Sequence, residues 1–239
     1  MPLSPSNAIL NSLPPAERAI ILEAATPVEF RLGDLICEAG DRATHCTFVD
    51  EGIISAVAVM ADGRTIETFM IGPEGMTFPL AIEAGARAYS RLVAQSDGYG
   101  RRVEIGRLRQ LADHSEALRE AVAAYAVRLT GELEQSSACN ALHRAEHRFA
   151  KWLLRCHDRV EGDVLKLTQE YLASMLGSQR TTVNEAAQTL QRAGAIRYSR
   201  GRVTILDRVA LERAACECYG VQWEILEAGI RPPPLAKAG

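Results

Sequence analysis

Hydrophobic and polar positions change their rhythm along this 239-residue chain. From about Thr26 to Ile105, short β-type runs alternate with turn signals at Arg31-Leu32-Gly33-Asp34, Glu38-Ala39-Gly40-Asp41, Asp50-Glu51-Gly52, Ala61-Asp62-Gly63-Arg64 and Gly72-Pro73-Glu74-Gly75. That spacing predicts a small barrel or sandwich. Ala61-Asp62-Gly63, set between Ile54–Val59 and Thr65–Phe69, marks a hairpin. After Gly106 the period becomes helical, and Leu118, Val122, Tyr125, Leu129 and Leu133 recur at spacings of four, three, four and four. Such a stripe packs on its own protein or pairs with its copy in a dimer, and periodicity alone leaves both open. A second helical segment, about His143 to His157, puts Phe149, Trp152, Leu153 and Cys156 on one face. The chain then breaks toward a loop with Gly162 as its stop, and past Gly220 it reads as a flexible tail ending in Arg231-Pro232-Pro233-Pro234.

The stretch Leu167–Ala187 is the most informative. Thr168 is placed to N-cap a short helix, Leu172 and Leu176 supply its buried face, and Gly177 supplies the left-handed turn that ends it. Ser178 is placed to cap a second helix. Two helices crossing steeply need a small residue at closest approach, which Ala173 provides, while Val183 fills the space from the second helix. Small residue, turn glycine and buried valine in this order make a helix-turn-helix, whose second helix enters the DNA major groove. With Val183, Ala187 and Leu190 facing inward and Gly194 as the stop, Arg180, Thr181, Asn184, Glu185 and Gln188 face out, beside Gln179 and Thr182. Arginine pairs bidentately with guanine, Asn or Gln with adenine, and Glu accepts from cytosine. Ile196–Ile205 then alternates around Arg200-Gly201 and reads as a wing, where Arg197, Arg200 and Arg202 can hold phosphates. Arg180 can act as base reader or phosphate clamp; Glu185 can read a base or pair with Arg180; Gln169, first in its helix, can donate to phosphate or be plain surface.

Charge sharpens this picture. The whole chain carries a net −3, yet residues 143–205 hold 11 Lys and Arg against 6 Asp and Glu, while residues 1–142 hold 12 against 19. A polyanion is therefore expected to meet the C-terminal third. No apolar run reaches membrane-spanning length and Met1-Pro2-Leu3-Ser4 does not open a signal peptide, so a cytoplasmic protein without a membrane partner is expected.

The six cysteines, Cys37, Cys46, Cys139, Cys156, Cys216 and Cys218, show no C-x-x-C pairing and read as free, unreactive thiols. Only two precede Cys139, so no N-terminal four-thiolate iron–sulfur cluster is expected. His143 and His147 stand at i and i+4, but Glu146 and the basic surroundings favour a solvated helix face, and no metal is assigned. The sequence contains no phosphate-binding glycine loop, no G-x-S-x-G elbow and no H-E-x-x-H, which argues against an enzyme.

Thr168 to Arg202, with its helix-turn-helix, Gly194-Ala195-Ile196 step and wing, resembles the C-terminal domain of the Crp/Fnr family of bacterial transcription regulators, and the β-rich first half with its long following helix is similar to that family's sensory β-roll and dimer helix. The resemblance implies an α+β chain: a cyclic-nucleotide-binding-like β-roll over 1–106, a long dimerisation helix over 107–138, a winged helix-turn-helix over 139–220 and a flexible tail over 221–239. It further implies a homodimer through Leu118, Val122, Tyr125, Leu129 and Leu133, a double-stranded DNA operator with palindromic symmetry, and contact with RNA polymerase, for which the loop around Asp158 to Asp163 is a candidate. The founding catabolite activator carries Arg-Glu-Thr-Val-Gly-Arg in its recognition helix where this chain has Arg180-Thr181-Thr182-Val183-Asn184-Glu185, so a different operator is expected. Cyclic-nucleotide binders in the family hold ribose with the Glu of Gly-Glu-Leu and phosphate with the Arg of Arg-Ser-Ala. Here the two places read Gly75-Met76-Thr77-Phe78 and Ser90-Arg91-Leu92, with the arginine one position late on a strand and so on the opposite face. Cyclic AMP is therefore not expected as the effector.

Overall fold

The computed structural model describes residues 7–82 and 87–220, with the side chains of Gln169 and Glu170 outside that description. The tail expected over 221–239 lies outside it as well. Two short helices, α1 (Ala8–Ser12) and α2 (Pro15–Ala24), lead into the β-region. Asn7 caps α1 by accepting from the Leu10 N–H, and its Nδ2 donates to the carbonyls of Val49 and Gly75 at 2.8 and 2.7 Å. One asparagine thus sews the helical start onto the strands.

The β-region is made of β1 (Thr26–Phe30), β2 (Leu35–Cys37), β3 (His45–Glu51), β4 (Ile54–Val59), β5 (Thr65–Ile71), β6 (Arg91–Ala94) and β7 (Gly98–Glu104). They form two antiparallel sheets, ordered β1-β7-β3 and β2-β6-β4-β5. Phe30, Val49, Ile54, Ala56, Ile71, Leu92 and Ala94 fill the space between them. This is the β-roll, and its β4–β5 hairpin turns at Met60–Arg64 where the sequence places it.

The expected single helix over 107–138 is instead two: α3 (Ile105–Asp113) and α4 (Glu116–Leu142). Ser115 causes the break, because its side chain accepts from the Leu118 N–H and starts a new helix there. The first half of the apolar stripe also has a different destination from the expected dimer seam. Leu118, Val122 and Tyr125 lie in the chain's own core with Leu10, Ile21, Met76 and Leu108. Tyr125 packs so closely over Gly75 that a Cβ there would fall 2.3 Å from its ring. Of the remaining predicted seam, Leu129 is half-buried and Leu133 exposed, while Val127, off the predicted stripe, is the more exposed side chain.

The C-terminal head follows as α5 (Ala145–His157), β8 (Val164–Lys166), α6 (Gln169–Leu176), α7 (Arg180–Arg192), β9 (Ile196–Ser199), β10 (Arg202–Ile205) and α8 (Arg208–Ala214). Phe149, Leu153, Leu172, Val183, Leu190, Val203 and Leu211 build its core, which continues into the β-roll through Ile53, Val57 and Met70. The head is therefore seated on the β-roll, not hung from it by a linker. Polar contacts reinforce the seat. The Trp152 indole N–H donates to Glu67 Oε1 at 2.7 Å, Arg159 bonds Glu74 at 2.8 Å, and Lys166 Nζ lies 2.9 Å from Asp97.

Candidate nucleic-acid interface

The interface is assembled from local chain physics. Thr168 Oγ1 accepts from the Tyr171 N–H at 3.1 Å and starts α6. Gly177 ends it in the left-handed region at φ 56°, with Ser178 N–H reaching the Ala173 carbonyl and Gly177 N–H the Ser174 carbonyl, a Schellman pattern. The helix α7 then begins at Arg180 with Gln179 as its N-cap residue and no side-chain capping bond. This corrects the expectation for Ser178, whose hydroxyl donates backward to the Leu176 carbonyl at 3.2 Å. The same Leu176 carbonyl accepts from Arg148 Nη2 at 2.7 Å, so α5 holds the turn. At the other end of α7, Gly194 takes φ 71° and Ala195 N–H returns to the Leu190 carbonyl, a second Schellman closure.

Two buried rows fix the roll of α7: Val183, Ala186, Ala187 and Leu190 face the core. Gln179, Arg180, Thr181, Asn184, Glu185 and Gln188 are consequently exposed, and Thr182 is half-buried. The wing is held close by, since Gln191 Oε1 accepts from Tyr198 N–H at 2.9 Å and Leu167 N–H donates to the Gly201 carbonyl at 2.8 Å. Arg200 and Gly201 both have positive φ, 51° and 73°, which makes a tight two-residue hairpin turn. A non-glycine residue in that region costs about 1 kcal/mol, so an arginine here is held against its own preference. Arg200 and Arg202 are both exposed, and the wing tip meets Thr168, to whose Cγ2 a Cβ on Gly201 would approach within 3.5 Å. The predicted DNA-facing residues with described side chains thus lie on the starts of α6 and α7, on the outer face of α7 and on the wing. The side chain of Gln169 lies outside the described residues.

Sequence reasoning missed the strand β8, which pairs with β10 and widens the wing to three strands. It also missed the seat itself, because Glu67 and Trp152 are separated by 85 positions. Ser55 Oγ lies 2.6 Å from both Glu67 Oε2 and Gln95 Oε1, and one hydroxyl hydrogen serves both contacts when Glu67 carries a proton or the Gln95 amide turns its Nε2 toward Ser55. Burial pushes the Glu67 carboxyl up to about 7, against the hydrogen bonds from Ser55 and Trp152 that favour its charge.

In the β-roll, Met76 is fully enclosed in the core and Thr77 Oγ1 accepts from the Thr47 N–H at 2.9 Å. Arg91 binds Glu38 at 2.8 Å on the face opposite buried Leu92. A cavity of about 250 Å³ opens nearby, lined by residues that include Arg42, His45, Thr47, Thr77, Phe78 and Arg102. Phe78 has φ 53°, a strained conformation at the cavity wall.

Comparison with known proteins agrees with this architecture. The model of the cyclic nucleotide-binding domain matches residues 27–115, and that of the Crp-like helix-turn-helix domain matches residues 147–214. The chain belongs to the Crp/Fnr family of transcription regulators. It is 29% identical to the transcriptional regulator SdrP of Thermus thermophilus over 79% of this chain and 93% of that protein. It is 28% identical to a CRP-like cAMP-activated global transcriptional regulator of Mycobacterium tuberculosis, over 87% of this chain and 96% of that one. The structure of FixK2 from Bradyrhizobium japonicum shares the fold, with a TM-score of 0.68 at 20% identity, covering 80% of this chain and 98% of that one. The two sequence relatives are transcription regulators, and this chain is a DNA-binding transcription regulator, not an enzyme. Among the described residues, no helix is long and apolar enough to cross a membrane.

Proposed function

We propose that this regulator binds a palindromic operator as a homodimer, reads bases with the outer face of α7, and is modulated through its β-roll by an effector other than cyclic AMP. The observation that carries the reading is the exposed row Arg180, Asn184, Glu185 and Gln188 beside the arginine wing. Arg180 suits guanine, Asn184 and Gln188 adenine, and Glu185 cytosine, while Arg200 and Arg202 suit phosphates and set register. A carboxylate on a phosphate-facing helix is unfavourable unless it reads a base, which favours specific over general binding.

The dimer is assigned to the outer side of α4. Val127 is exposed there, and on the same side, one turn on, a Cβ on Gly131 would meet nothing within 4 Å, so a second helix can approach closely. Two heads related by a two-fold axis would meet half-sites about one helical turn apart. For RNA polymerase, the exposed Glu161-Gly162-Asp163 bend is the available part of the 158–163 loop, since Asp158 is held by Arg208 at 2.7 Å and Arg159 is buried.

The effector reading rests on Met76 and Arg91. A thioether is only a weak acceptor for a ribose hydroxyl, and an arginine tied to Glu38 on the outer face cannot pair with a phosphate in the cavity. The cavity's own cations, Arg42 and Arg102, suit an anionic ligand of different shape. Selection from a random duplex pool by the purified protein tests the reading: enrichment of an inverted repeat is expected. Recovery of an unchanged pool, with or without cell-extract small molecules, would overturn it.

A further inference from the structure

The end of α4 and the turn after α8 bring together four side chains that the sequence scatters over almost eighty positions. Cys139 Sγ lies 3.6 Å from Cys216 Sγ, and Cys218 Sγ lies 3.5 Å from His143 Nδ1. All four potential ligand atoms fall within 4.8 Å of one another. Cys139 and His143 are one helical turn apart, and Cys216 and Cys218 flank Glu217 in a tight turn closed by Tyr219 N–H on the Cys216 carbonyl. The three cysteines are buried and form a cluster of their own, separate from the apolar cores.

We propose that Cys139, His143, Cys216 and Cys218 form a tetrahedral site for a divalent cation of the zinc class, which bolts the end of the long helix to the DNA-binding head. Zinc bonds of about 2.3 Å to sulfur and about 2.0 Å to nitrogen put tetrahedral neighbours about 3.5 to 3.8 Å apart. Two of the pairs already stand at 3.6 and 3.5 Å. The sulfurs crowd around a single point, which suits one ion and not a multinuclear cluster, whose core would hold them further apart.

The surroundings complete the site. Glu217 Oε1 lies 3.1 Å from His143 Nε2, so the carboxylate fixes the tautomer that presents Nδ1 to the metal. Gln135 Nε2 donates to Cys218 Sγ at 2.9 Å, as amides do toward ligating thiolates. Three thiolates and a neutral imidazole around a dication leave one net negative charge, and the buried Lys151 ammonium beside Cys139 offsets it. A disulfide between Cys139 and Cys216 would account for two sulfurs only, leaving Cys218, His143 and its carboxylate without a role. Binding releases the thiol protons to solvent and involves no oxidant.

The test uses the full chain purified under reducing conditions, with metal content measured by mass spectrometry and the apo protein titrated with Co2+ and then Zn2+. One zinc per chain is expected, with Co2+ giving the intense visible absorption of a tetrahedral thiolate site and Zn2+ abolishing it at one equivalent. Zinc should raise the thermal midpoint of the wild type. Cys218→Ser and His143→Gln should each lose stoichiometric binding, while Cys37→Ser, outside the cluster, keeps it. Apo wild type that gives no cobalt spectrum, an isolated protein holding a Cys139–Cys216 disulfide without metal, or a spectrum unchanged in Cys218→Ser would each overturn the proposal.

Discussion

The indole N–H of Trp152 donates to Oε1 of Glu67 across 2.7 Å, joining the first helix of the DNA-binding head to strand β5 of the β-roll. Glu67 is the only ionisable partner in that contact, and folding raises its pKa to about 7 because burial disfavours its charge. The sign follows directly. The folded chain keeps a proton that the unfolded chain gives up in the ordinary carboxylate range, so stability falls as pH rises from there to about 7 and is level above. Within that window a rise of one in pH costs at most about 1.4 kcal/mol. Thermal unfolding of wild type and Glu67→Gln between pH 5 and 8 should show the variant losing less stability across this window. Parallel pH profiles would refute a neutral Glu67.

Gly177 and Ile66 form the second contact of the seat. A Cβ on Gly177 would fall 2.6 Å from Ile66 Cδ1, and the position has φ 56°. Gly177→Ala is expected to cost about 1 kcal/mol from backbone strain plus a similar amount from the clash. In an Ile66→Ala background only the strain should remain, a non-additivity that urea unfolding of the four proteins measures.

Arg200 occupies a left-handed position that asparagine adopts more readily. Arg200→Asn should therefore stabilise the head by about 0.5 kcal/mol while weakening DNA binding. Its salt dependence should be shallower by about one phosphate contact. Denaturant unfolding and salt titrations of DNA affinity read the two effects separately.

The two halves of α4 should respond differently. Val127→Glu, on the exposed outer side, is expected to give folded monomers in sedimentation experiments. Leu118→Ala, inside the chain's own core, should cost about 2–5 kcal/mol of stability without selectively splitting the dimer.

The parts legible in the sequence were those decided locally. Thr168, Gly177 and Gly194 dictate caps and turns within a few residues, and the Val183, Ala187, Leu190 spacing then fixes which side of α7 faces out. The fate of the apolar stripe was not legible, because period reports that a face is buried and not by what. Leu118 and Tyr125 found the roll's own Met76 and Gly75. The cysteine cluster was hidden for a related reason: Cys139 meets Cys216 across 77 positions, and the local His143–His147 pair drew attention to the wrong neighbour. His147 Nδ1 in fact sits 2.8 Å from the Ala214 carbonyl. The i, i+4 pair Cys139 and His143, together with Cys216-Glu217-Cys218, was the signal available.

Base reading by α7 is the central claim, and one comparison tests it most directly: affinities of wild type, Arg180→Ala and Arg202→Ala for the selected operator and for a scrambled duplex, each across a salt series. The account predicts that Arg180→Ala loses most of the operator-to-scrambled ratio, about 1–3 kcal/mol, and becomes tolerant at one base position. Arg202→Ala should keep the ratio and lower the salt slope by about one. An Arg180→Ala protein that discriminates as well as wild type, and loses affinity equally for both duplexes, would contradict it.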